Sequence, residues 1–385
     1  MHQNIRIFRW FNFFTDFRLY APVAILYFTK VSGSFTLGMT VFSVAMVSSA
    51  LFEIPTGIFS DRIGRKRTVI CGALASILSI VLYAMSGNFL MLAFGAVFEG
   101  LARSFYSGNN EAFLHDSLTH DNEAEDFSEH YGKISSMFQI ALALSAVVGG
   151  IIAYWSFAAV MWISVIPQVI CFILSLFLID IKVVEKGEGN IYVHLAQAFK
   201  DFIGNPKLRA LSIADIFSYA LGESGYLFQS AFYQTIWPVW AIGIAKVLSN
   251  LGAATSFHYS GKLLRKYNAF ALVMWGAAYS RVVTILATLF PSILSPLLLA
   301  SGSLWFGVTN VAKETLMQKE YTASKRATMG SLNSFGGSLL FGIAATTLGF
   351  FADKFSPAQA LFGIQIVALT VLWMYWRMFK KYGNI

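Results

Sequence analysis

The sequence predicts an all-α polytopic membrane protein, with twelve transmembrane helices in two pseudo-symmetric six-helix bundles. Three observations carry that prediction. Of 385 residues, 56% are hydrophobic and 12% charged, about half the charged fraction of a soluble domain, so a soluble fold could not cover its own surface. The apolar residues come in runs of roughly 20, the length of a membrane span. The basic stretch Ser60-Asp61-Arg62-Ile63-Gly64-Arg65-Lys66 also returns, degraded, as Ser260-Gly261-Lys262-Leu263-Leu264-Arg265-Lys266. A duplicated hydrophobic half with a basic loop after its second span is the plan of a secondary carrier.

The first half divides into spans at about 7–30, 34–58, 67–86, 89–114, 131–154 and 157–179. Short outer turns separate them at Ser32-Gly33, Ser86-Gly87-Asn88 and Trp155-Ser156. Spans of the second half fall at about 207–232, 238–260, 269–290, 294–317, 327–351 and 358–378. Their outer turns are Tyr233–Trp237, Pro291–Ser295 and Asp353–Pro357, too short to form an external domain. The halves, 1–180 and 207–385, are joined by a linker at 181–206 that is charged at first and then amphipathic (His194–Phe199), as a tether plus interfacial helix would be. The N-terminus runs directly into a span, so no cleavable leader is expected.

Lysine and arginine set the orientation. With the N-terminus inside, Arg62, Arg65, Lys66, Arg67, Lys182, Lys262, Arg265, Lys266, Lys380 and Lys381 all lie in the cytoplasm, and only Lys30 and Lys354 fall in outer turns. Both termini are therefore expected inside, at the cytoplasmic (inner) membrane. The net charge of +8 then anchors the protein to anionic lipids rather than to nucleic acid. Cys71 and Cys171 both sit within spans and are read as packing residues without a disulfide.

The stretch Gly57–Arg67 resembles the G-x-x-x-D-R-x-G-R-[KR] signature between helices two and three of the major facilitator superfamily, matching at Gly57, Asp61, Arg62, Gly64, Arg65 and Lys66. Glu53–Gly57 leading into it, Arg103 with Gly108, and Arg326-Ala327-Thr328 are weaker resemblances. The family implies alternating access, with spans one, four, seven and ten around a central cavity. It also implies that the fourth-span arginine position, here Arg103, takes part in proton coupling. Gly57, Asp61, Arg62, Gly64 and Arg65 are accordingly expected to form a cytoplasmic gate: the glycines permit close backbone approach, and Asp61 accepts charge-assisted hydrogen bonds from Arg62 and Arg65. Gly261 stands where the first copy has Asp61, so the second copy should latch weakly or not at all.

Charges at membrane depth are costly and normally face a cavity or a partner. Asp16, Glu99, Arg103 and Glu223 are the candidate proton-coupling groups. Arg18, Phe17, Tyr20, Tyr219, Tyr226 and Trp305 are the candidate cavity residues. Glu99 and Arg103 are four apart and share a helix face; Asp16 and Arg18 are two apart, so at least one needs a partner elsewhere. Asp215, Lys246 and Lys313-Glu314 fall nearer the span ends, and Arg281 is read as structural.

The cluster His115, Asp116, His120, Asp121, Glu123, Glu125, Asp126, Glu129 and His130 lacks metal-ligand spacing. It reads as a solvated cytoplasmic loop. No nucleophile, phosphate loop or Walker motif accompanies it; neither an enzyme nor an ATP-driven pump is expected, and no cofactor. The fifth span keeps Gly149-Gly150 but lacks the proline that exporters of the family often carry there. The expectation is a monomeric carrier, driven by protons and in contact with membrane lipids, that moves a small organic molecule. Aromatic content of 16% favours export of lipophilic or cationic compounds; nutrient, peptide or metal-chelate uptake is the alternative, and a non-transporting sensor or lipid scramblase a further one.

Overall fold

The structure is a computed structural model that describes residues 3–107, 109–121, 123, 127–181, 202–321 and 326–383, with the side chains of Asp61, Ser128, Glu129, Gly132, Ser135, Ser136 and 326–328 outside the description. Helices account for the regular structure of the described residues. They are α1 (Gln3–Asp16), α2 (Ala24–Ser32), α3 (Phe35–Ile63), α4 (Arg65–Met85), α5 (Phe89–Tyr106), α6 (Asn109–His120), α7 (Phe127–Trp155) and α8 (Phe157–Leu176). Then follow α9 (Pro206–Gln234), α10 (Val239–Lys266), α11 (Ala269–Leu289), α12 (Ser295–Ser301), α13 (Phe306–Glu320), α14 (Arg326–Lys354) and α15 (Pro357–Tyr382). Among the described residues eight helical stretches are long and apolar enough to cross a membrane, at 35–60, 65–85, 89–120, 137–155, 157–176, 269–289, 329–354 and 357–382.

The chain forms two compact units. One comprises Met1–Glu185 with Pro238–Val247, the other Lys186–Trp237 with Leu248–Ile385. The first unit has an aromatic core at one end of α1, where Phe8, Phe11 and Phe113 pack with Val69, Leu118 and Cys171. Phe8 stacks on Phe11 at 5.8 Å between ring centroids, and Tyr106 meets Phe11 edge-on at 5.6 Å. Cys171 is buried and Cys71 half-buried, both as free thiols.

The first span is not one helix. Residues 17–20 are non-helical and lead through a 3-10 turn, Ala21–Val23, into α2. Pro22 accounts for this: it has no N–H to give, and its ring clashes with the carbonyl four residues back. A helix end inside a bilayer leaves carbonyls that water cannot reach. Here side chains reach them instead. Gln168 Nε2 donates to the carbonyl of Phe14 at 3.2 Å, and Arg18 Nε donates to that of Thr15 at 3.1 Å. The unwound chain also lies directly on α7: a Cβ added at Gly149 would sit 1.9 Å from the carbonyl oxygen of Leu19. The tenth span is likewise divided, by a 3-10 turn at Gly302–Trp305. The histidine- and acid-rich segment is a loop only in part, because His115, Asp116 and His120 lie on α6. Calls on the linker 182–201, including its amphipathic stretch, and on Gly108, Glu125 and Asp126 lie outside the described residues.

Candidate functional site

Glu99 is the centre of the strongest polar cluster in the first unit. One helical turn of α5 sets Arg103 over it, and Arg103 Nη2 and Nε donate to Glu99 Oε1 at 2.9 and 3.2 Å. The break after α1 turns Arg18 toward α5, where its Nη1 donates to the same oxygen at 3.0 Å. Glu99 Oε2 accepts from the Tyr83 hydroxyl of α4 at 2.9 Å. Tyr83 is itself fixed, its ring fully buried and its carbonyl accepting from Tyr27 Oη at 2.7 Å. Asp16 closes α1 within electrostatic range of both arginines, yet accepts no side-chain hydrogen bond among the described residues. Two guanidiniums, two carboxylates and a tyrosine thus meet where three helices converge.

The other first-span candidates do not open onto a shared surface. Tyr20 is buried against Tyr83, 6.0 Å between centroids, and Phe17 stacks on Phe13 at 5.5 Å. In the second unit, Tyr219, Glu223 and Tyr226 fall on one stripe of α9; both tyrosines are exposed and Glu223 is half-buried. Trp305 packs against Tyr279 at 6.5 Å.

The second unit pairs two charges that the sequence places nearer the span ends and outside the candidate site. Lys313 Nζ of α13 donates to Asp215 Oδ1 of α9 at 2.8 Å, with both side chains mostly buried. Both charges are legible as span residues, and Asp215 also follows Asp16 by nearly the repeat offset; their pairing is not legible. Arg281 Nη1 donates to Gln365 of α15 at 3.3 Å. At the C-terminal end of α13, Glu320 accepts from Lys207 at 2.8 Å and Asn205 at 3.1 Å. Partial burial pushes its carboxyl up, but those two donors outweigh it and hold the group below the ordinary glutamate range.

The basic turn differs from expectation in its partners. Gly64 alone separates α3 from α4, and its φ of +94° is one that only glycine adopts without strain. Gly57 is not required in this way, since a Cβ there would meet nothing within 4 Å; its expected close approach is corrected accordingly. Arg65 Nε bonds Asp116 Oδ2 of α6 at 2.5 Å, so the carboxylate that holds Arg65 comes from the acid-rich segment. Ser60 donates to Asn109 Oδ1 at 2.7 Å, and Asn109 Nδ2 donates to the Arg65 carbonyl at 3.3 Å. Arg62 is exposed, and the Asp61 side chain lies outside the described residues. The second copy, Ser260–Lys266, stays helical to the end of α10, so its sequence repeat is not a repeat of the turn.

The Major Facilitator Superfamily profile matches residues 10–345. An uncharacterized transporter of Buchnera aphidicola subsp. Acyrthosiphon pisum is 26% identical over 172 residues, 44% of this chain and 42% of that protein. A second, from Buchnera aphidicola subsp. Schizaphis graminum, is 26% identical over 162 residues, 41% and 40% of the two chains. The chain thus aligns with about two fifths of each curated relative. Among solved structures, the nucleoside transporter NupG superposes with a TM-score of 0.80 at 14% identity, covering 98% of this chain and 99% of that one. A bacterial homologue of the human lysosomal transporter Spinster gives 0.76 at 15% identity, covering 99% and 96%. A POT family transporter bound to a thioalcohol-conjugated peptide gives 0.74 at 12%, covering 98% and 96%. These likenesses establish the fold.

Proposed function

The chain belongs to the Major Facilitator Superfamily, is a multi-pass membrane transporter by family and fold, and on that premise we propose that it is a proton-coupled carrier of a small organic molecule. The observation that carries the coupling is the charge arrangement at Glu99. Glu99 engages both Arg18 and Arg103, while Asp16 balances the second guanidinium through space without a hydrogen bond of its own. A proton on Asp16 leaves the cluster one positive charge in excess, and the two arginines must then rearrange or take another anion. That is the linkage between proton and cargo a coupled carrier requires. The groups facing Asp16 are Arg18, Arg103, Tyr106 and Cys171.

The remaining assignments are part of the same proposal. Residues 1–180 and 207–385, joined by 181–206, are the bodies that alternate. Gly64, Arg65 and Asp116 form the fixed side of a cytoplasmic gate, with Asp61 and Arg62 as its movable charges. The protein works as a monomer in the cytoplasmic membrane, with both termini inside. Export of lipophilic cations is a second reading, favoured by Glu223 lying between the exposed rings of Tyr219 and Tyr226.

The test is purified protein in liposomes containing a pH-sensitive dye, challenged with organic cations, acids, nucleosides and peptides. Solute-driven proton movement should disappear in Asp16→Asn while exchange of labelled solute across the membrane persists. Proton movement unchanged by that substitution refutes the assignment of Asp16.

A further inference from the structure

The hydrogen bonds around Glu99 leave one side of Arg103 unclaimed. A carboxylate offers about four acceptor sites. Glu99 Oε1 already takes three N–H groups from two arginines, and Oε2 takes the Tyr83 hydroxyl. Of the five N–H groups on a guanidinium, Arg103 commits one on Nε and one on Nη2. Its Nη1 and the second Nη2 hydrogen meet no acceptor among the described residues.

That open edge is accessible, and it does not face the apolar side of its helix. The Arg103 side chain is 45% exposed, against 11% for Glu99 and 14% for Arg18. Phe94, 56% exposed, lies nine residues earlier on α5, which at about 100° per residue is the opposite side of the helix. Arg103 therefore opens on the polar face it shares with Glu99. Charge count points the same way: two guanidiniums contact one carboxylate, and the second carboxylate, Asp16, stands off without a hydrogen bond.

We propose that the open edge of Arg103 is the docking point for an anionic oxyacid group, a carboxylate or phosphate, on the transported molecule. Two parallel N–H donors on a planar fork suit such a group far better than they suit an amine or an amide. The inference deepens the carrier reading by naming the cargo's charge, and it rests on that reading for the cargo's being transported. It opposes cationic cargo at this cluster.

Labelling with phenylglyoxal, an arginine-specific dicarbonyl, tests the docking without requiring transport. Full-length protein in detergent is labelled in the presence of benzoate, phenyl phosphate, benzamide or benzylamine, and modification of Arg103 is read by peptide mass. Benzoate or phenyl phosphate should slow labelling of Arg103 about tenfold near saturation, and the relative strength of the two assigns carboxylate or phosphate. Benzamide and benzylamine should leave the rate unchanged. Arg103→Lys keeps the charge but loses the fork, and should need about tenfold more benzoate for the same thermal upshift, about 1.4 kcal/mol. Equal protection by all four compounds, protection by none, or an unchanged benzoate requirement in Arg103→Lys overturns the proposal. In the liposome assay, proton movement driven only by amines leaves the coupling and removes the anion site. Oxyanion protection with no proton movement for any solute keeps the site and removes the coupling.

Discussion

Replacing Glu99 by glutamine should be among the most damaging single changes in the first unit. The amide keeps the shape of the carboxylate: its oxygen can still accept from Arg18 and Arg103, while its NH2 faces the Tyr83 hydroxyl and donates to it. The amide cannot offset either guanidinium. Among the described residues Glu99 is the one carboxylate in hydrogen-bond contact with both arginines, so the substitution leaves two cations at membrane depth with Asp16 as the remaining carboxylate within electrostatic range there. Removing one partner of a buried ionic array costs about 3–5 kcal/mol, in line with roughly 3 kcal/mol for a single uncompensated arginine near the bilayer centre. With a Tm shift of roughly 2 °C per kcal/mol for a large chain, the melting temperature should fall by at least about 5 °C. The protein carries its own reporter: a thiol-reactive dye that fluoresces on conjugation should react with the buried Cys171 only on unfolding. The diagnostic comparison adds Arg18→Gln. If charge imbalance is the cause, the double variant leaves one cation, Arg103, with one carboxylate, Asp16, within electrostatic range, and should recover part of the loss. A Glu99→Gln protein melting with the parent, or a double variant that loses the sum of the two single effects, would refute this account.

Two further outcomes follow from local geometry. Gly64→Ala places a Cβ at φ +94°, ψ 153°, a region essentially reserved for glycine, and should cost about 1–3 kcal/mol, whereas Gly57→Ala, within α3 and facing open space, should be neutral or stabilising by roughly 0.5–1 kcal/mol; thermal melts of the two variants check the contrast. The depressed carboxyl of Glu320 adds stability that is present above the ordinary glutamate value near 4.3 and fades as pH falls through the lower folded value. Lys207→Met should therefore destabilise the protein modestly at pH 7, by about 1 kcal/mol for a pair that is only partly buried, and by progressively less as the pH is lowered through the acid range. A deficit independent of pH would point to lost packing instead.

Which parts of this molecule could be read from its sequence depends on how far apart the interacting residues lie along the chain. Membrane runs are legible because lipid imposes a length and a composition on each. The pairing of Glu99 with Arg103 is legible because both lie on one helical turn. The partner of Arg18 is not, because it depends on where the chain goes after α1, and hydropathy is blind to a break inside an apolar run. Pro22 was the available signal for that break, but proline is tolerated in membrane helices when neighbours satisfy the freed carbonyls. Here Gln168 and Arg18 do so, from α8 and from the unwound segment itself. Lys313 with Asp215 and Arg65 with Asp116 are separated by 98 and 51 residues, and only packing brings them together.

The broken first span also explains why the charged cluster sits where it does. A continuous helix would set Arg18 about 200° around from Asp16, leaving one of the two on the far side of the span. Unwinding residues 17–20 frees Arg18 from that rule, so Asp16 can end the helix while Arg18 reaches α5. Leu19, one of those four residues, lies against Gly149 with no room for a side chain, which ties the position of the neighbouring Arg18 to the packing of α7. Any displacement of α7 along α1 must therefore move Leu19, and with it the arginine bonded to Glu99. Gly149 of the fifth span thus has a packing role that does not need the proline found in many exporters: its backbone contact with Leu19 links α7 to the segment that carries Arg18.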